Sequence, residues 1–361
     1  MEAVCEISLS SILQNYLYFK SRVDASNIIP VVKANAYGHG ALEVTKFLSD
    51  ELGVSLFAVA TLEEAQALSI EFPAIKVLIF SRVFPAELAD LPKNAIVSIG
   101  SMEDALSLSD SSKVGLKVHL NVNTGMNRLG VPPEQAIELI QDRNLGLDIQ
   151  GVYSHFSSSD TLSETRFKQQ RSIFRKFTTD IKTLGFKGLI HLSNSAGILH
   201  DEIETYDAIR LGIGLYGYDT SAQTRYQSSL SPAMEVKAPL IRIARISAGE
   251  SVSYAEKWHA AVDTNIGTLR IGYADGYSRA LTNRGYVSFE GRTFPVIGTV
   301  TMDHIMIDLG EETPNVGGMF TVMGGEHEAI KIASIAKNLN TIPYELCCAI
   351  SNRVKRQYLI H

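Results

Sequence analysis

Eight short runs of aliphatic and β-branched residues recur between residues 28 and 211, and stretches of helical character separate them. A parallel strand covered on both faces has this composition, and each parallel connection needs a crossover, usually a helix. The pattern predicts an α/β fold, and eight β–α units favour a (β/α)8 barrel of the TIM type. The predicted strands are Ile28–Lys33, Leu56–Ala60, Val77–Phe80, Ala95–Ile99, Leu116–Asn121, Ile149–His155, Leu189–Ser193 and Ala208–Leu211.

An open, doubly wound sheet is compatible with the same alternation, because repeat counting fixes neither closure nor strand order. No Gly-x-Gly-x-x-Gly sequence follows the first run, which weakens the dinucleotide-binding version of that fold. The predicted helices between the runs include Leu62–Ser69, Pro133–Gln141 and Ser163–Leu184.

The composition changes after Tyr218, where residues 219–229 form a polar connector. Closely spaced strands with Gly- and Asn-containing turns follow, which is typical of antiparallel β structure. We expect a barrel over residues 10–225, and a β-rich domain formed by residues 1–9 and 226–361, with Cys5–Leu9 as an early strand that pairs into it. The predicted strands are Val236–Ile246, Asn265–Ile271, Val287–Phe289, Thr293–Val300, Ile305–Leu309, Phe320–Met323 and Val354–Ile360, with helices near Glu328–Asn338 and Tyr344–Ser351.

Composition argues against several classes of protein. The 33 Lys and Arg residues and 39 Asp and Glu residues give a formal net charge of −6 without a basic stripe, so nucleic acid is not an expected partner. Residues 1–8 lack the features of a signal peptide, and no apolar run reaches the length of a membrane span, so we expect a cytoplasmic protein without a membrane partner. Cys5, Cys347 and Cys348 suit reduced thiols, and no metal-binding spacing is present.

Polar residues follow three of the predicted barrel strands, and the chemistry of a barrel gathers at the carboxyl ends of its strands. Lys33 ends the first run, where partial desolvation favours a nucleophilic free amine. Ser195 follows the seventh run, and Gly212 and Gly214 follow the eighth, where backbone N–H groups can approach a phosphate. Each feature alone is more often a snorkelling lysine, a helix cap or a turn. Together they indicate pyridoxal 5′-phosphate, an aldehyde that carries a phosphate.

The chain also resembles the alanine racemase family of pyridoxal-phosphate barrel enzymes (fold type III). Motifs that match this family run through nearly the whole length of the chain, in the same order and domain placement. They are Val32–Gly40, Asn123–Gly130, Tyr153–Phe156, Asn194–Ala196, Arg210–Gly217, Val252–Tyr254, Ile271–Gly276, Thr301–Asp303 and Pro343–Glu345.

The resemblance implies an isomerase that interconverts L- and D-alanine and supplies D-alanine for peptidoglycan. After the substrate amine replaces Lys33 in the imine with the cofactor, two bases act on opposite faces of the α-carbon. Lys33 would serve the D-enantiomer and Tyr254 the L-enantiomer. A free phenol is protonated near neutral pH, so cationic neighbours must help the tyrosine, and His155 and Arg210 are the family's candidates.

Further roles follow from the same resemblance. Arg210, which cannot accept a proton, would keep the pyridine nitrogen neutral and so disfavour transamination. Arg128 would contact the phenolic oxygen of the cofactor and the substrate carboxylate, Met302 would bind that carboxylate through its backbone, and Tyr273 would narrow the entrance. The phosphate ligands would be Tyr37, Ser195, Gly212, Ile213 and Tyr344, whereas His39, His191 and His304 are interpreted as structural histidines.

Members of this family are homodimers in which the second domain of one subunit covers the barrel of the other. Two positions depart from the family pattern. Asn121 stands where some members carry a carbamylated lysine that holds the arginine, so an anion or a direct amide contact would have to orient Arg128. Thr301 stands where cysteine is frequent. The alternatives are a racemase of another small amino acid such as serine, a barrel-type decarboxylase and a pyridoxal-phosphate carrier.

Overall fold

A computed structural model describes residues 1–23, 27–111, 115–159, 164–200, 205–220 and 229–360. The chain divides into two compact units. The barrel unit comprises Ile12–Ala36 and Ala41–Ser231, and the sheet unit comprises Met1–Ser11, Tyr37–Gly40 and Pro232–His361. Residues 221–228, which hold most of the connector and the expected boundary at 225, lie outside the described residues. Tyr37–Gly40 groups with the sheet unit, although sequence analysis placed it in the barrel.

The barrel unit contains eight parallel strands. The chain begins with β1 (Val4–Ser8) and α1 (Leu9–Arg22), and the barrel strands follow as β2 (Asn27–Pro30), β3 (Leu56–Val59), β4 (Lys76–Ile79), β5 (Ala95–Ile99), β6 (Leu116–Asn121), β7 (Leu147–Tyr153), β8 (Leu189–His191) and β9 (Ala208–Leu211). Their order is β2-β9-β8-β7-β6-β5-β4-β3. A parallel bridge between Val31 and Ala58 joins the two ends of this order, and the Val32 N–H donates to the Ala58 carbonyl at 2.9 Å. The sheet therefore closes, which confirms the barrel and excludes the open sheet.

Helices connect the strands, as the crossover rule requires. They are α2 (Ala41–Leu52), α3 (Leu62–Glu71), α4 (Met102–Ser111), α5 (Pro133–Gln141), α6 (Glu164–Thr183) and α7 (Ser195–Ile198), together with 3₁₀ turns at Pro85–Asp90 and Ile213–Tyr216. The helix predicted at Pro133–Gln141 has those bounds, α3 runs two residues further than predicted, and the predicted start at Ser163 lies outside the described residues.

The sheet unit is a mainly antiparallel β domain, as predicted. Its strands are β10 (Met234–Ile246), β11 (Thr264–Leu269), β12 (Tyr286–Phe289), β13 (Arg292–Ile297), β14 (Ile305–Gly310), β15 (Met319–Met323) and β16 (Lys355–Leu359), and its helices are α8 (Ile332–Leu339) and α9 (Pro343–Ala349). The order is β11-β14-β13-β12-β15-β10-β1-β16. Strand β1 pairs antiparallel with β10 and parallel with β16, so the predicted early strand is confirmed, although α1 already begins at Leu9.

Among the described residues, no helix is both long and apolar enough to cross a membrane. The same part of the chain holds no group of three His, Cys, Asp or Glu side chains placed to bind a metal ion.

The sheet unit should depend on its first strand. Ile7 is fully buried between β10 and β16, so we expect Ile7→Ala to lower the free energy of unfolding by about 2–5 kcal/mol, because it leaves a cavity. The single tryptophan, Trp258, packs on the buried residues Val252, Ile266 and Ile297, so its fluorescence in urea would report the unfolding of this unit.

Ile360→Ala is the control, since Ile360 is 72% exposed and its truncation should lower the free energy of unfolding by less than about 0.5 kcal/mol. Equal shifts for the two variants would contradict the prediction.

Candidate active site

Lys33 begins a left-handed helical turn. The φ angles of Ala34, Asn35, Ala36 and Tyr37 are 51°, 53°, 55° and 52°. None of these residues is glycine, and an L-residue in this conformation costs roughly 1–2 kcal/mol. A run of this kind persists only where surrounding contacts impose it, and such strain concentrates at functional sites.

The turns after β8 and β9 meet at one hydroxyl group. The Ser195 Oγ accepts hydrogen bonds from the backbone N–H groups of Gly212 at 3.1 Å and Gly214 at 3.2 Å. A Cβ atom on Gly214 would lie 2.5 Å from the ring of Phe19 and 3.1 Å from the Ser195 Cβ, so only glycine fits there. The structure thus gathers the Ser195 hydroxyl and the backbone amides of Gly212 and Gly214 into one amide cradle, with the buried Ile213 between the two glycines. Clustered backbone amides can bind an anion.

Arg210, in β9, is 3% exposed and is held by neutral acceptors. Its Nη1 donates to the His191 Nδ1 at 2.9 Å, and its Nη2 donates to the His155 Nδ1 at 3.0 Å and to the carbonyls of Ser154 at 2.6 Å and Leu192 at 2.8 Å. Within the described ranges, no carboxylate pairs with this guanidinium. Burial lowers the pKa of Arg210 to about 10, so it remains a cation at neutral pH.

This cation fixes the protonation of the imidazoles around it. A guanidinium has only donors, so the Nδ1 atoms of His191 and His155 must be acceptors and both rings are neutral. The proton of His191 is then on Nε2, which faces the His119 Nδ1 at 3.0 Å. Burial, followed by the charge of Arg210, holds the pKa of His155 and of His191 well below the usual value, and the same causes lower the pKa of His119 to about 3.

Lys33 and Arg128 also lie close enough to His155 for their charges to depress its pKa further. Arg128 is exposed on the loop after β6. The Asn123 side chain stabilises this loop by accepting hydrogen bonds from the N–H groups of Gly125 at 3.0 Å and Asn127 at 3.2 Å.

Asn121 ends β6 with a half-buried side chain. No hydrogen bond joins its amide to Arg128 among the residues that the structure describes, so the direct contact considered from the sequence is not formed.

In the sheet unit, two loops carry two of the predicted site residues, Tyr273 and Met302. The Tyr273 and Ala274 N–H groups donate to the carbonyls of Thr301 and Met302, each at 3.0 Å. A Cβ on Gly272 would lie 2.3 Å from the Met302 carbonyl oxygen, so this close approach requires glycine. Met302 is 52% exposed and Tyr273 43% exposed in the single chain.

Tyr254 lies in a third segment of the sheet unit and is 73% exposed. Its carbonyl accepts a hydrogen bond from the Thr299 hydroxyl at 2.7 Å, and the preceding Ser253 donates to the Thr299 carbonyl at 2.7 Å. The rings of Tyr37 and Tyr344 lie 5.8 Å apart, so this unit pairs two of the predicted phosphate ligands.

Several polar residues near these groups were not predicted from the sequence as parts of the site. His191, interpreted as structural, contacts Arg210 directly. The fully buried Gln170 of α6 donates to the His155 carbonyl at 2.9 Å and to the Thr124 hydroxyl at 3.2 Å. Nothing in the local sequence distinguishes His191 or Gln170. Glu64 accepts a hydrogen bond from the Ala34 N–H, in the turn that Lys33 begins. Its position three residues after Thr61 is a helix-capping pattern that can be recognised in the sequence.

The barrel unit suits pyridoxal phosphate. The amide cradle fits a phosphate group, and Arg210, held only by neutral acceptors in the described structure, suits a ring nitrogen that carries a lone pair. A lysine after the first strand of a closed barrel, together with this cradle, defines the class of pyridoxal-phosphate barrel enzymes.

Comparisons with known proteins give the family within that class. The models of the N-terminal and C-terminal domains of alanine racemase match residues 7–220 and 233–358. Alanine racemase 1 of Bacillus subtilis is 37% identical over 364 residues, which cover 98% of this chain and 92% of the relative. The chain therefore belongs to the alanine racemase family, whose members depend on pyridoxal phosphate.

Solved structures agree with this assignment. The alanine racemase of Clostridium difficile 630 superposes with a TM-score of 0.91 at 29% identity, covering 100% of this chain and 96% of the other. That of Bartonella henselae, which contains covalently bound pyridoxal phosphate, gives 0.88 at 26% identity, covering 99% of this chain and 100% of the other.

The buried imidazoles should make the stability of the protein depend on pH. Between pH 6.5 and about 3, His119 is protonated in the unfolded chain but neutral in the folded one, so the free energy of unfolding falls as the pH falls. One such group contributes about 1.4 kcal/mol per pH unit. We expect His119→Gln to lower the slope of the free energy of unfolding against pH by that amount between pH 6 and 4, as measured by urea unfolding. His259→Gln, at an exposed position, is the control. An unchanged slope for His119→Gln would mean that His119 takes up a proton in the folded protein.

Proposed function

We propose that this protein interconverts L- and D-alanine, with pyridoxal phosphate as its cofactor. The proposal is carried by Lys33, by the amide cradle at Ser195 and by Arg210, which pairs with no carboxylate among the described residues, in the barrel of an alanine racemase family member. Bound pyridoxal phosphate supplies a conjugated electron sink that acidifies the α-proton of an amino acid.

The protein's own residues would hold the cofactor at both ends. Lys33 would bind its aldehyde carbon, Arg210 would donate to the ring nitrogen and Arg128 would contact the phenolic oxygen. The phosphate ligands that we assign are Tyr37, Ser195, Gly212, Ile213 and Tyr344. Arg210 cannot supply a proton to the ring nitrogen near neutral pH, since its pKa is about 10. The ring therefore stays a moderate electron sink, which favours return of the proton to the α-carbon over transamination.

Racemisation needs a proton acceptor on each face of the α-carbon. We assign the Lys33 Nζ to the D-enantiomer and the Tyr254 Oη to the L-enantiomer, each returning a proton as an acid. The neutral His155 carries its single proton on Nε2, because its Nδ1 accepts from Arg210. This N–H is the donor that we assign to the tyrosine oxygen, where it would stabilise the phenolate.

We further propose a homodimer with shared active sites. Tyr254, Met302 and Tyr273 lie on exposed segments of the sheet unit, and each would enter the barrel mouth of the partner. Met302 would offer its backbone to the substrate carboxylate, and Tyr273 would narrow the entrance. We place the enzyme in the cytoplasm, where its D-alanine would enter peptidoglycan synthesis.

Serine or another small amino acid is the second candidate substrate. A pocket discriminates one small substituent by only about 1–3 kcal/mol, so incubation with L-serine belongs in the same assay. A barrel-type decarboxylase would instead release carbon dioxide and form no D-amino acid.

The function can be tested with purified protein and pyridoxal phosphate. L-alanine should approach a one-to-one mixture with D-alanine, and borohydride reduction should attach the cofactor to Lys33, as mapped by mass spectrometry. Tyr254→Phe should lower racemisation by about 10²–10⁴-fold, because one proton acceptor is lost. It should still exchange the α-proton of D-alanine with deuterium from the solvent through Lys33.

Tyr286→Phe, on another exposed tyrosine of the sheet unit, is the matched control and should retain activity. A label on Lys33 without D-alanine would move the function to another substrate or a decarboxylase. A label on a different lysine would overturn the mechanism.

Sharing of the active sites has its own test. Lys33→Ala and Tyr254→Phe chains, each inactive alone, are mixed, dissociated and reassociated. Random reassociation makes about half of the dimers mixed. If sites are shared, one of the two sites in each mixed dimer has both Lys33 and Tyr254 intact, so activity should return to about one quarter of the wild-type value. Sites built within single chains would give no recovery in any combination.

A further inference from the structure

We propose that Glu64 is a positioning residue for Lys33, because its carboxylate holds the left-handed turn that Lys33 begins. The inference rests on the proposed function in one respect, namely that Lys33 is the lysine that binds the cofactor. Glu64 itself touches neither substrate nor cofactor in this assignment.

Three backbone N–H groups converge on the Glu64 carboxylate. Its Oε1 accepts the N–H of Ala34 at 2.6 Å. Its Oε2 accepts the N–H groups of Ala60 at 2.7 Å and Thr61 at 3.3 Å. Ala34 follows the end of β2, whereas Ala60 and Thr61 follow β3, so one side chain ties together the ends of two neighbouring barrel strands. Charge-assisted bonds of this kind are stronger than those between neutral groups.

The position of Glu64 in α3 makes this tie possible. Thr61 caps the helix by accepting the Glu64 N–H on its Oγ1 at 3.3 Å, and Glu64 returns a bond to the Thr61 N–H, which completes a capping box. A capping box needs only one oxygen of the carboxylate. The second oxygen is directed at Ala34 instead, which helix capping does not explain.

The bond to Ala34 acts on Lys33 through the backbone. The Ala34 N–H belongs to the same rigid peptide plane as the Lys33 carbonyl, so fixing that N–H fixes the ψ angle of Lys33. The direction in which the lysine side chain leaves the backbone is thereby set.

The rest of the turn has its own local bonds. The Ala36 N–H donates to the Val32 carbonyl at 2.8 Å, and the Asn35 side chain accepts the Ala41 N–H at 2.9 Å. Neither bond holds the peptide plane that follows Lys33, so Glu64 supplies a constraint that they do not.

Three variants separate this role from helix capping. Glu64→Gln keeps the shape but offers one acceptor oxygen, and its amide NH₂ must face an N–H group at Ala34 or at Ala60. Glu64→Asp keeps the charge but shortens the side chain, so it can cap α3 without reaching Ala34. Thr61→Ala is the matched control, since it removes the capping hydroxyl of the same helix and leaves the bond between Glu64 and Ala34.

The first measurement is hydrogen–deuterium exchange in the peptide that contains residues 33–37, together with the acylation rate of Lys33 in the protein without cofactor. We expect Glu64→Gln and Glu64→Asp to speed exchange at Ala34 by about tenfold and to change the acylation rate of Lys33. Thr61→Ala should change exchange only in α3. If Thr61→Ala reproduces the effect of Glu64→Gln on the 33–37 peptide, or if exchange there is unchanged in both Glu64 variants, the proposal is wrong.

The second measurement is steady-state kinetics of the loaded enzyme. A misplaced lysine should lower kcat by about tenfold while KM changes less than about threefold, since reaction geometry suffers more than substrate binding. Equal kcat values for the wild type and both Glu64 variants would overturn the positioning role. Failure of the proposed function is a separate outcome, because borohydride would then label the wild-type protein at a residue other than Lys33. The exchange data would still test whether Glu64 holds the Ala34 N–H.

Discussion

The arrangement of the barrel interior depends on the buried cation of Arg210, which pairs with no carboxylate in the part of the chain that the structure describes. Removing a guanidinium from water is costly unless its donors are satisfied, and Arg210 is satisfied by two imidazole nitrogens and several carbonyls. Each imidazole must stay neutral to accept, which determines the tautomers of His155 and His191 and, through His191, that of His119. Arg210 thus determines which nitrogen carries the proton in three histidines, although it contacts only two of them.

The two units contribute different kinds of chemistry. The barrel unit buries its polar groups and holds them by several bonds each, as Arg210 and Gln170 illustrate. The sheet unit presents Tyr254 and Met302 at its surface, and hydrogen bonds fix their backbone rather than their side chains. Groups that bind a permanent cofactor gain from rigidity, whereas groups that meet a transient substrate must remain accessible.

Much of the fold could be predicted from periodicity, because every barrel strand contains buried β-branched or aliphatic residues. The strand ends were less well predicted. β2, β7 and β8 stop two or three residues before the predicted ends, because Lys33, His155 and Ser193 leave the ladder at the functional end of the barrel. Val31 and Val32 after β2 and Leu192 after β8 are as apolar as the strands before them, so the end of the ladder has no local signal there.

The site divides in the same way. The turns at Ser195 and Gly212 could be recognised from the sequence as candidates for anion binding, because hydroxyl and glycine turns have recognisable chemistry. The roles of Tyr254 and Arg128 rest on family motifs and stay predictions. The left-handed turn at Ala34–Ala36 could not, since alanine ordinarily avoids that conformation and contacts distant in sequence impose it. Gln170 and His119 were missed for a similar reason, because their importance comes only from what the closed barrel places beside them.

The pairing of β1 has a consequence for how the protein is made. Its two neighbours in the sheet are β10, which begins at Met234, and β16, which ends at Leu359. On a ribosome β1 is therefore synthesised before all eight barrel strands, and its two partners follow only after them. An early strand without a partner exposes an edge on which other chains can add. Synthesis order thus keeps β1 without its sheet partners until the barrel strands have been made.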